Sequence, residues 1–168
     1  QFVLELPADP GAPITGPDSW ANYPLGVWRS LRDFHLPQPA GFDLFVESNL
    51  PAGAGLSSSA ALELATALAL LHLAGITDLP PERLAALGRH AENQYVGVPC
   101  GILDQGTSAF GRAGHLVHID CRGPVFSRVP FPATAHLWIF NTREKHALID
   151  GLYATRNREC LEAAKALG

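Results

Sequence analysis

A run of small residues and hydroxyls at positions 51–61, Pro-Ala-Gly-Ala-Gly-Leu-Ser-Ser-Ser-Ala-Ala, has the composition of an anion-binding turn. An alternating segment at 43–49 precedes it, and an Ala/Leu-rich run that predicts a helix follows. The backbone N–H groups of such a turn and the positive end of the helix dipole would both face a bound anion. The pattern therefore predicts phosphate binding, and phosphate indicates a nucleotide.

The two commonest phosphate motifs do not fit this run. A Walker A loop ends in Gly-Lys-Ser/Thr, and no lysine is present. A dinucleotide fingerprint needs a third glycine where Ser58 stands. The serine-rich ending favours backbone N–H groups on the phosphates and a hydroxyl facing their metal. The competing interpretation is an ordinary helix start at which Ser57–Ser59 supply an N-cap, although one serine suffices for a cap.

Two carboxylates follow downstream. Glu92 lies near the C-terminal end of a predicted helix, where the dipole disfavours an anion, so a cation partner is expected. Mg²⁺ prefers oxygen ligands, and Glu92 with a serine hydroxyl would suit it. Asp104 lies among small and apolar residues and could serve as a base toward a substrate hydroxyl. The alternatives are a solvated helix-end charge for Glu92 and an N-cap of segment 105–110 for Asp104.

The surrounding pattern predicts the elements that would position these groups. Mixed strands and helices with several long loops indicate an α+β domain. We predict strands at 1–6, 42–49, 114–121, 125–129 and 135–141, the third and fourth paired, and helices at 20–34, 57–74, 81–94 and 148–167.

Composition limits the function classes. With 168 residues, 47% hydrophobic content and a net charge of −4, the chain predicts one packed domain without a nucleic-acid surface. The longest apolar stretch, 60–75, is interrupted by Glu63 and His72, so no membrane span is expected. Three widely spaced cysteines argue against zinc and disulfides and favour a reducing cytoplasm. The absence of Met and a start within a predicted strand predict a fragment. We expect a monomer.

Together these motifs resemble the galactokinases of the GHMP small-molecule kinase superfamily. The resemblance is carried by the phosphate motif at 51–63 and by Ala-Glu-Asn at 91–93, followed by Val-Gly-Val-Pro-Cys-Gly-Ile-Leu-Asp-Gln at 96–105. Lys145-His146, Tyr153 and Arg-Glu-Cys at 158–160 match a later sugar-site helix, and Trp-Ala-Asn-Tyr at 20–23 also fits.

The resemblance implies a GHMP kinase N-terminal, ATP-binding domain with a left-handed βαβ unit at 1–134 and the beginning of a C-terminal domain at 135–168. It implies ATP-dependent phosphorylation of galactose at the anomeric hydroxyl. The implied phosphate-binding residues are Gly53, Ala54, Gly55, Leu56, Ser57, Ser58 and Ser59. Ser59 and Glu92 would hold Mg²⁺, and Asp104 would be catalytic. Gly101, Asp104 and Tyr153 would contact the sugar, and Trp20 would lie near the adenine.

The chain also departs from the family pattern. It lacks the N-terminal signature with its catalytic arginine and sugar-binding residues, and the C-terminal glycine-rich motif, so we expect this segment alone to be inactive. Leu103, Leu152 and the Thr-Arg-Glu at 142–144 are smaller departures. Two alternatives stay open: a kinase for N-acetylgalactosamine or another pyranose, and a non-catalytic regulator that binds sugar and ATP.

Overall fold

The computed structural model describes residues 12–141 and 152–167, with side chains in the second range from residue 155 onward. A short 3₁₀ helix, Gly16–Ala21, leads into α1 (Asn22–Asp33). Three helices follow: α2 (Ser58–Leu73), α3 (Pro81–Ala91), which continues into a π-helix (Glu92–Val96), and α4 (Leu103–Phe110). The strands β1 (His115–Asp120) and β2 (Val125–Pro130) come next, and α5 is Leu152–Leu167.

The core lies between α1, α2 and α3. The amphipathic periods of α1 and α3 each direct an apolar stripe inward, whereas apolar residues lie on all sides of α2. Nine buried side chains form one cluster: Val27, Leu31, Leu64, Ala67, Leu70, Leu71, Leu84, Leu87 and Ala91. The predicted helices 20–34, 57–74 and 81–94 are thus confirmed, and Gly75, at φ +78°, follows the end of α2 as a helix stop.

Helix α3 approaches α2 and α4 closely because it carries Gly88 at the contact. A Cβ built at Gly88 would lie 2.7 Å from Leu64 Cδ1 and 3.2 Å from Gln105 Cγ. The absence of a side chain at this position therefore lets the three helices pack closely. The buried carboxyl groups of Glu63 and Glu92 lie in this junction.

The π-helix after α3 is tied to the C-terminal end of α1. The Tyr95 hydroxyl donates to Asp33 Oδ2 at 2.6 Å, and the His90 ring lies 3.0 Å from the same oxygen. Gly97, at φ +84°, ends the π-helix, and its N–H donates to the Glu92 carbonyl. Because wide π turns are rare and concentrate at functional sites, the placement of Glu92 at the start of this one is informative.

The hairpin confirms the predicted pair of strands at 114–121 and 125–129. β1 and β2 are antiparallel, with Leu116 opposite Val129 and Asp120 opposite Val125. The hairpin packs on α4 through Phe126, whose ring stacks on Phe110 at a centroid distance of 4.3 Å. The helices and this sheet together confirm the α+β class.

Two predicted strands, 42–49 and 135–141, are wrong for the described part of the chain. Both segments lie outside the two-stranded sheet, and their apolar side chains are exposed, with Phe45 at 88% and Trp138 at 80%. Alternation fixes only which side chains share a face, whereas a strand also needs a neighbour for its N–H and C=O groups. The predicted strand at 1–6 lies outside the described residues.

Other expectations are tested only in part. The two-stranded sheet contains no crossover within residues 12–141, so the left-handed βαβ unit stays a prediction. In the described ranges, no helix has both the length and the apolar character needed to cross a membrane.

We expect the Gly88→Val substitution to lower the free energy of unfolding by about 1–3 kcal/mol. The added side chain overpacks a close helix contact and forces neighbouring side chains and backbone apart. Gly41→Val is the matched control, since a Cβ at Gly41 meets nothing within 4 Å. Urea denaturation of both variants measures the difference. Equal stability of the two would contradict the tight junction.

Candidate active site

The turn before α2 has the backbone geometry of an anion-binding loop. Gly53 and Gly55 both have φ +70°, and Ser57 has φ +54° although it is not glycine. Residues in the left-handed region alternate here with residues outside it, and such alternation directs backbone N–H groups into a shared concavity. A non-glycine residue held at positive φ costs of order 1 kcal/mol, and such strain concentrates at functional sites.

The serines do not cap the helix that they begin. Ser57 is at the N-cap position of α2, but no side chain makes a capping hydrogen bond there. The N-terminal N–H groups of α2 therefore lack the partner that a capping serine would give them. This geometry goes against the interpretation of Ser57–Ser59 as an ordinary cap and leaves the first turn of α2 open to an anion.

Glu92 is buried rather than solvated. Its side chain lies at the junction of α2, α3 and α4, and the residue is 3% exposed. Burial raises the pKa of Glu92, while hydrogen bonds from Cys100, Gln105 and Ser59 oppose that rise. The alternative of a solvated helix-end charge is wrong, because the chain folds over this carboxylate.

The Ser59 hydroxyl is the group of the loop that acts on the carboxylate, because it lowers the pKa of Glu92. Ser59 lies in the first turn of α2, and Glu92 begins the π-helix, 33 positions later in the sequence. The structure thus brings together the two residues that the resemblance implies as metal ligands.

A second buried carboxyl group, Glu63, lies beside Glu92. The residue is completely buried, and burial followed by the charge of Glu92 raises its pKa to about 9. At neutral pH the Glu63 side chain is therefore a neutral acid. Its Oε1 atom is buried and has no hydrogen-bond partner among the described residues.

Gln105 links the two carboxyl groups. Its Nε2 atom donates to Glu92 Oε2 at 2.6 Å and to Glu63 Oε2 at 3.0 Å. The Cys100 thiol lies 3.3 Å from the same Glu92 oxygen and 3.2 Å from Asn93 Oδ1, and the Cys100 N–H donates to Asn93 Oδ1 at 2.9 Å. The π-helix and the loop before α4 are thereby fixed to one another.

Asp104 is next to Gln105 in the first turn of α4 and is half-buried. The helix begins at Leu103 with Ile102 at the N-cap position, so Asp104 is not the cap. The charge of Asp104 raises the pKa of both Glu63 and Glu92, so the three carboxyl groups interact electrostatically.

The charges that act on the pKa values of this cluster are acidic. Burial and the charges of Glu92 and Glu63 raise the pKa values of Tyr23 and of the Cys100 thiol, each to about 12. Every charged group that shifts these pKa values is an acid. The negative electrostatic potential of these groups favours the binding of a cation.

The donor set suits Mg²⁺ completed by a ligand rather than a closed protein cage. No group of three or more His, Cys, Asp or Glu side chains that could hold a metal ion occurs within the described ranges. Mg²⁺ is commonly bound by one or two protein oxygens together with phosphate oxygens and water. Ser59 and Glu92, next to an open helix N-terminus, supply that arrangement.

The sequence model of the GHMP kinases N-terminal domain matches residues 22–112. This chain belongs to the GHMP kinase family. The matched range contains the loop, both buried glutamates and α4 of this GHMP kinase.

Its relatives include named galactokinases. The chain is 43% identical over 148 residues to a galactokinase from Chloroflexus aurantiacus, covering 88% of this chain and 37% of that protein. It is 42% identical over 156 residues to one from Pasteurella multocida, covering 90% and 40%. The crystal structure of Lactococcus lactis galactokinase complexed with galactose superposes with a TM-score of 0.78 at 32% identity, covering 92% of this chain and 40% of that one. The chain therefore spans about two fifths of the length of these relatives.

The remaining predicted site residues have these positions. Gly101 is exposed and follows Cys100 in the loop before α4, while Trp20 lies in the 3₁₀ helix and is 40% exposed. Ala54, Leu56 and Ser58 lie between or beside the left-handed residues of the loop. Tyr153 belongs to α5, but its side chain lies outside the described residues, as do Lys145 and His146.

Sequence reasoning did not assign roles to Glu63, Gln105, Cys100 or Tyr23. The burial of Glu63 could have been predicted from the sequence, because an acid within an apolar run on a helix without a polar face has to be buried. For Gln105, nothing in the sequence except its position after Asp104 indicated a role.

The pKa of Glu63 gives a pH prediction with a definite sign. Between the ordinary value of 4.5 and the folded value of about 9, the folded chain holds a proton that the unfolded chain has released. The free energy of unfolding therefore falls as pH rises through this window. We expect the Glu63→Gln variant to show a flatter pH dependence than the wild type.

Urea denaturation at several pH values in a chelating buffer measures both curves. Glu47→Gln, at an exposed position, is the matched control and should keep the wild-type slope. A wild-type stability that does not fall across this window would refute the burial of a neutral acid.

Proposed function

We propose that the full-length protein carrying this chain phosphorylates galactose at its anomeric hydroxyl with ATP as the donor. The observation that supports this most directly is the buried Glu92 carboxylate, whose pKa the Ser59 hydroxyl lowers, at the end of an uncapped, glycine-containing loop. The galactokinase names of the relatives supply the substrate class.

In this proposal, the N–H groups of the loop 53–59 and the N-terminus of α2 bind the ATP phosphates. Ser59 and Glu92 would hold Mg²⁺, which when bound offsets negative charge on the phosphate oxygens. These residues fit that role because the charged groups that act on the pKa values of Glu63 and Glu92 are all acids.

Asp104 would face the sugar. Its half-buried carboxylate accepts the proton of the anomeric hydroxyl while that oxygen forms its bond to the γ-phosphorus and ADP leaves. The first turn of α4 holds Asp104 in place, and the neighbouring Gln105 ties that turn to Glu92. Open space for the sugar adjoins this turn, since a Cβ at Gly101 would meet nothing within 4 Å.

Further parts of the proposal concern the chain outside the described site. Tyr153 would contact the sugar and Trp20 the adenine. Residues 1–134 would form the ATP-binding domain and 135–168 the beginning of the next domain. A cytoplasmic location fits the three cysteines, all of which are free thiols.

We expect Asp104→Asn in the full-length protein to lower kcat by about 10²–10⁴-fold, because the amide cannot accept the hydroxyl proton. Asp78→Asn, an exposed change between α2 and α3, is the control and should leave kcat unchanged. Production of ADP and sugar phosphate is measured over a panel of galactose, N-acetylgalactosamine and other pyranoses.

The panel separates the alternatives. Turnover of N-acetylgalactosamine but not galactose would reassign the substrate, and binding of sugar and ATP without turnover would favour a regulator. Full activity of Asp104→Asn would remove its catalytic role.

We also expect Gly55→Val to weaken ATP binding by at least about tenfold, because a β-branched residue at φ +70° is strained and redirects the loop N–H groups. A Cβ at Gly55 would meet nothing within 4 Å, so the effect is one of backbone conformation and not of steric overlap. Calorimetric titration with ATP measures it, with Gly41→Val as control. Unchanged affinity would exclude this loop as the phosphate site.

A further inference from the structure

Gln105 has an unusual position for a neutral residue. It is completely buried between two carboxyl groups, and a single nitrogen, Nε2, donates to Glu92 at 2.6 Å and to Glu63 at 3.0 Å. An amide nitrogen carries two hydrogens, so these two short bonds use its donor capacity, and the Cys100 sulfur at 3.8 Å from the same nitrogen is a weaker third contact. The two carboxyl groups therefore engage both hydrogens of the Gln105 amide, and the side chain cannot rotate toward one acceptor without losing its bond to the other.

The bonds converge on one oxygen of Glu92. Oε2 accepts from Gln105 at 2.6 Å, and the single S–H of Cys100 lies within reach of this oxygen at 3.3 Å and of Asn93 Oδ1 at 3.2 Å. A buried oxygen with a short hydrogen bond and a thiol beside it has less capacity for a further ligand. Oε1 makes no hydrogen bond to Gln105 or Cys100, so it is the Glu92 oxygen that is better placed to take a cation.

We propose that Gln105 is a positioning residue that holds Glu92 with Oε1 toward the cation of the kinase site, and that Glu63 acts through Gln105 as its second anchor. This proposal rests on the function proposed above. Gln105 also follows Asp104 directly in α4, so the same amide sets the position of the metal-binding carboxylate relative to the catalytic one.

The helix junction explains how the anchor stays rigid. A Cβ at Gly88 would lie 3.2 Å from Gln105 Cγ and 3.5 Å from Glu63 Oε2, so α3 closes over both side chains. Neither residue is exposed. Partners of this kind, which orient a ligand without touching the metal, typically change metal affinity by 10–100-fold when they are removed.

The test compares Gln105→Met, which keeps the length of the side chain but removes the amide, with the wild type of the full-length protein. Electron paramagnetic resonance measures Mn²⁺ binding to the ADP-bound protein, and kinetics gives the apparent KM for Mg²⁺. We expect Mn²⁺ affinity to fall at least tenfold, the KM for Mg²⁺ to rise in parallel, and excess Mg²⁺ to restore part of kcat.

Two further variants serve as controls. Glu63→Gln retains an oxygen that can accept from Gln105, so we expect its Mn²⁺ affinity to stay within about twofold of the wild type. Gln94→Met makes the same chemical change at an exposed position of the π-helix and should alter nothing. If Gln105→Met does not fold, Gln105→Asn decides instead, because its amide is one methylene too short to reach both carboxyl groups.

A folded Gln105 variant with a lowered melting temperature but wild-type Mn²⁺ affinity would overturn the proposal, since that is the result of a purely structural role. The metal measurement does not depend on the sugar. Weaker Mn²⁺ binding in a protein that phosphorylates no galactose would therefore support the role of Gln105 and refute the proposed substrate. Galactose turnover with unchanged metal affinity would refute the role of Gln105 alone.

Discussion

The burial of two carboxyl groups at one helix junction is the constraint on which the rest of this structure depends. Glu63 and Glu92 are withdrawn from water, which costs several kcal/mol for an ionised group unless hydrogen bonds or a cation compensate. Gln105 supplies hydrogen bonds to both groups, and retention of a proton on Glu63 removes one of the two charges. Helix α3 packs closely over Gln105 and Glu63 at Gly88. The apolar core formed by α1, α2 and α3 therefore also sets the electrostatics of the site.

The same junction aligns the N-terminal turns of two helices. Ser59 lies in the first turn of α2, and Asp104 lies in the first turn of α4. Gln105 bonds the α4 turn to the Glu92 carboxylate, and the Ser59 hydroxyl of the α2 turn lowers the pKa of that carboxylate. An uncapped helix N-terminus attracts phosphate, and an uncompensated buried acid attracts a cation. A nucleotide phosphate with its divalent metal satisfies both demands at once, which is why the geometry fits a phosphoryl-transfer site.

The sequence predicted helices and the hairpin better than isolated strands. The periods of α1 and α3, the stop at Gly75 and the turn before Val125 are local, and each is where the pattern placed it. The segments 42–49 and 135–141 alternate equally well but have no described ladder partner, because pairing depends on distant parts of the chain. The functional motifs were found by residue type and spacing. Glu63 and Gln105 were not assigned, since their importance lies in a contact between positions 42 apart in the sequence.

By itself, the sequence determined which chemical groups are present and the local order in which they occur: a glycine turn, hydroxyls at a helix start, and two carboxylates downstream. These properties need only neighbouring residues, so pattern and motif suffice to recognise them. Tertiary structure decided that Glu92 is buried rather than solvated, that Glu63 holds a proton and that one amide binds both. The pKa of a carboxyl group depends on the water excluded by other elements and on charges from other helices. Only the packing of α2, α3 and α4 against one another sets those conditions.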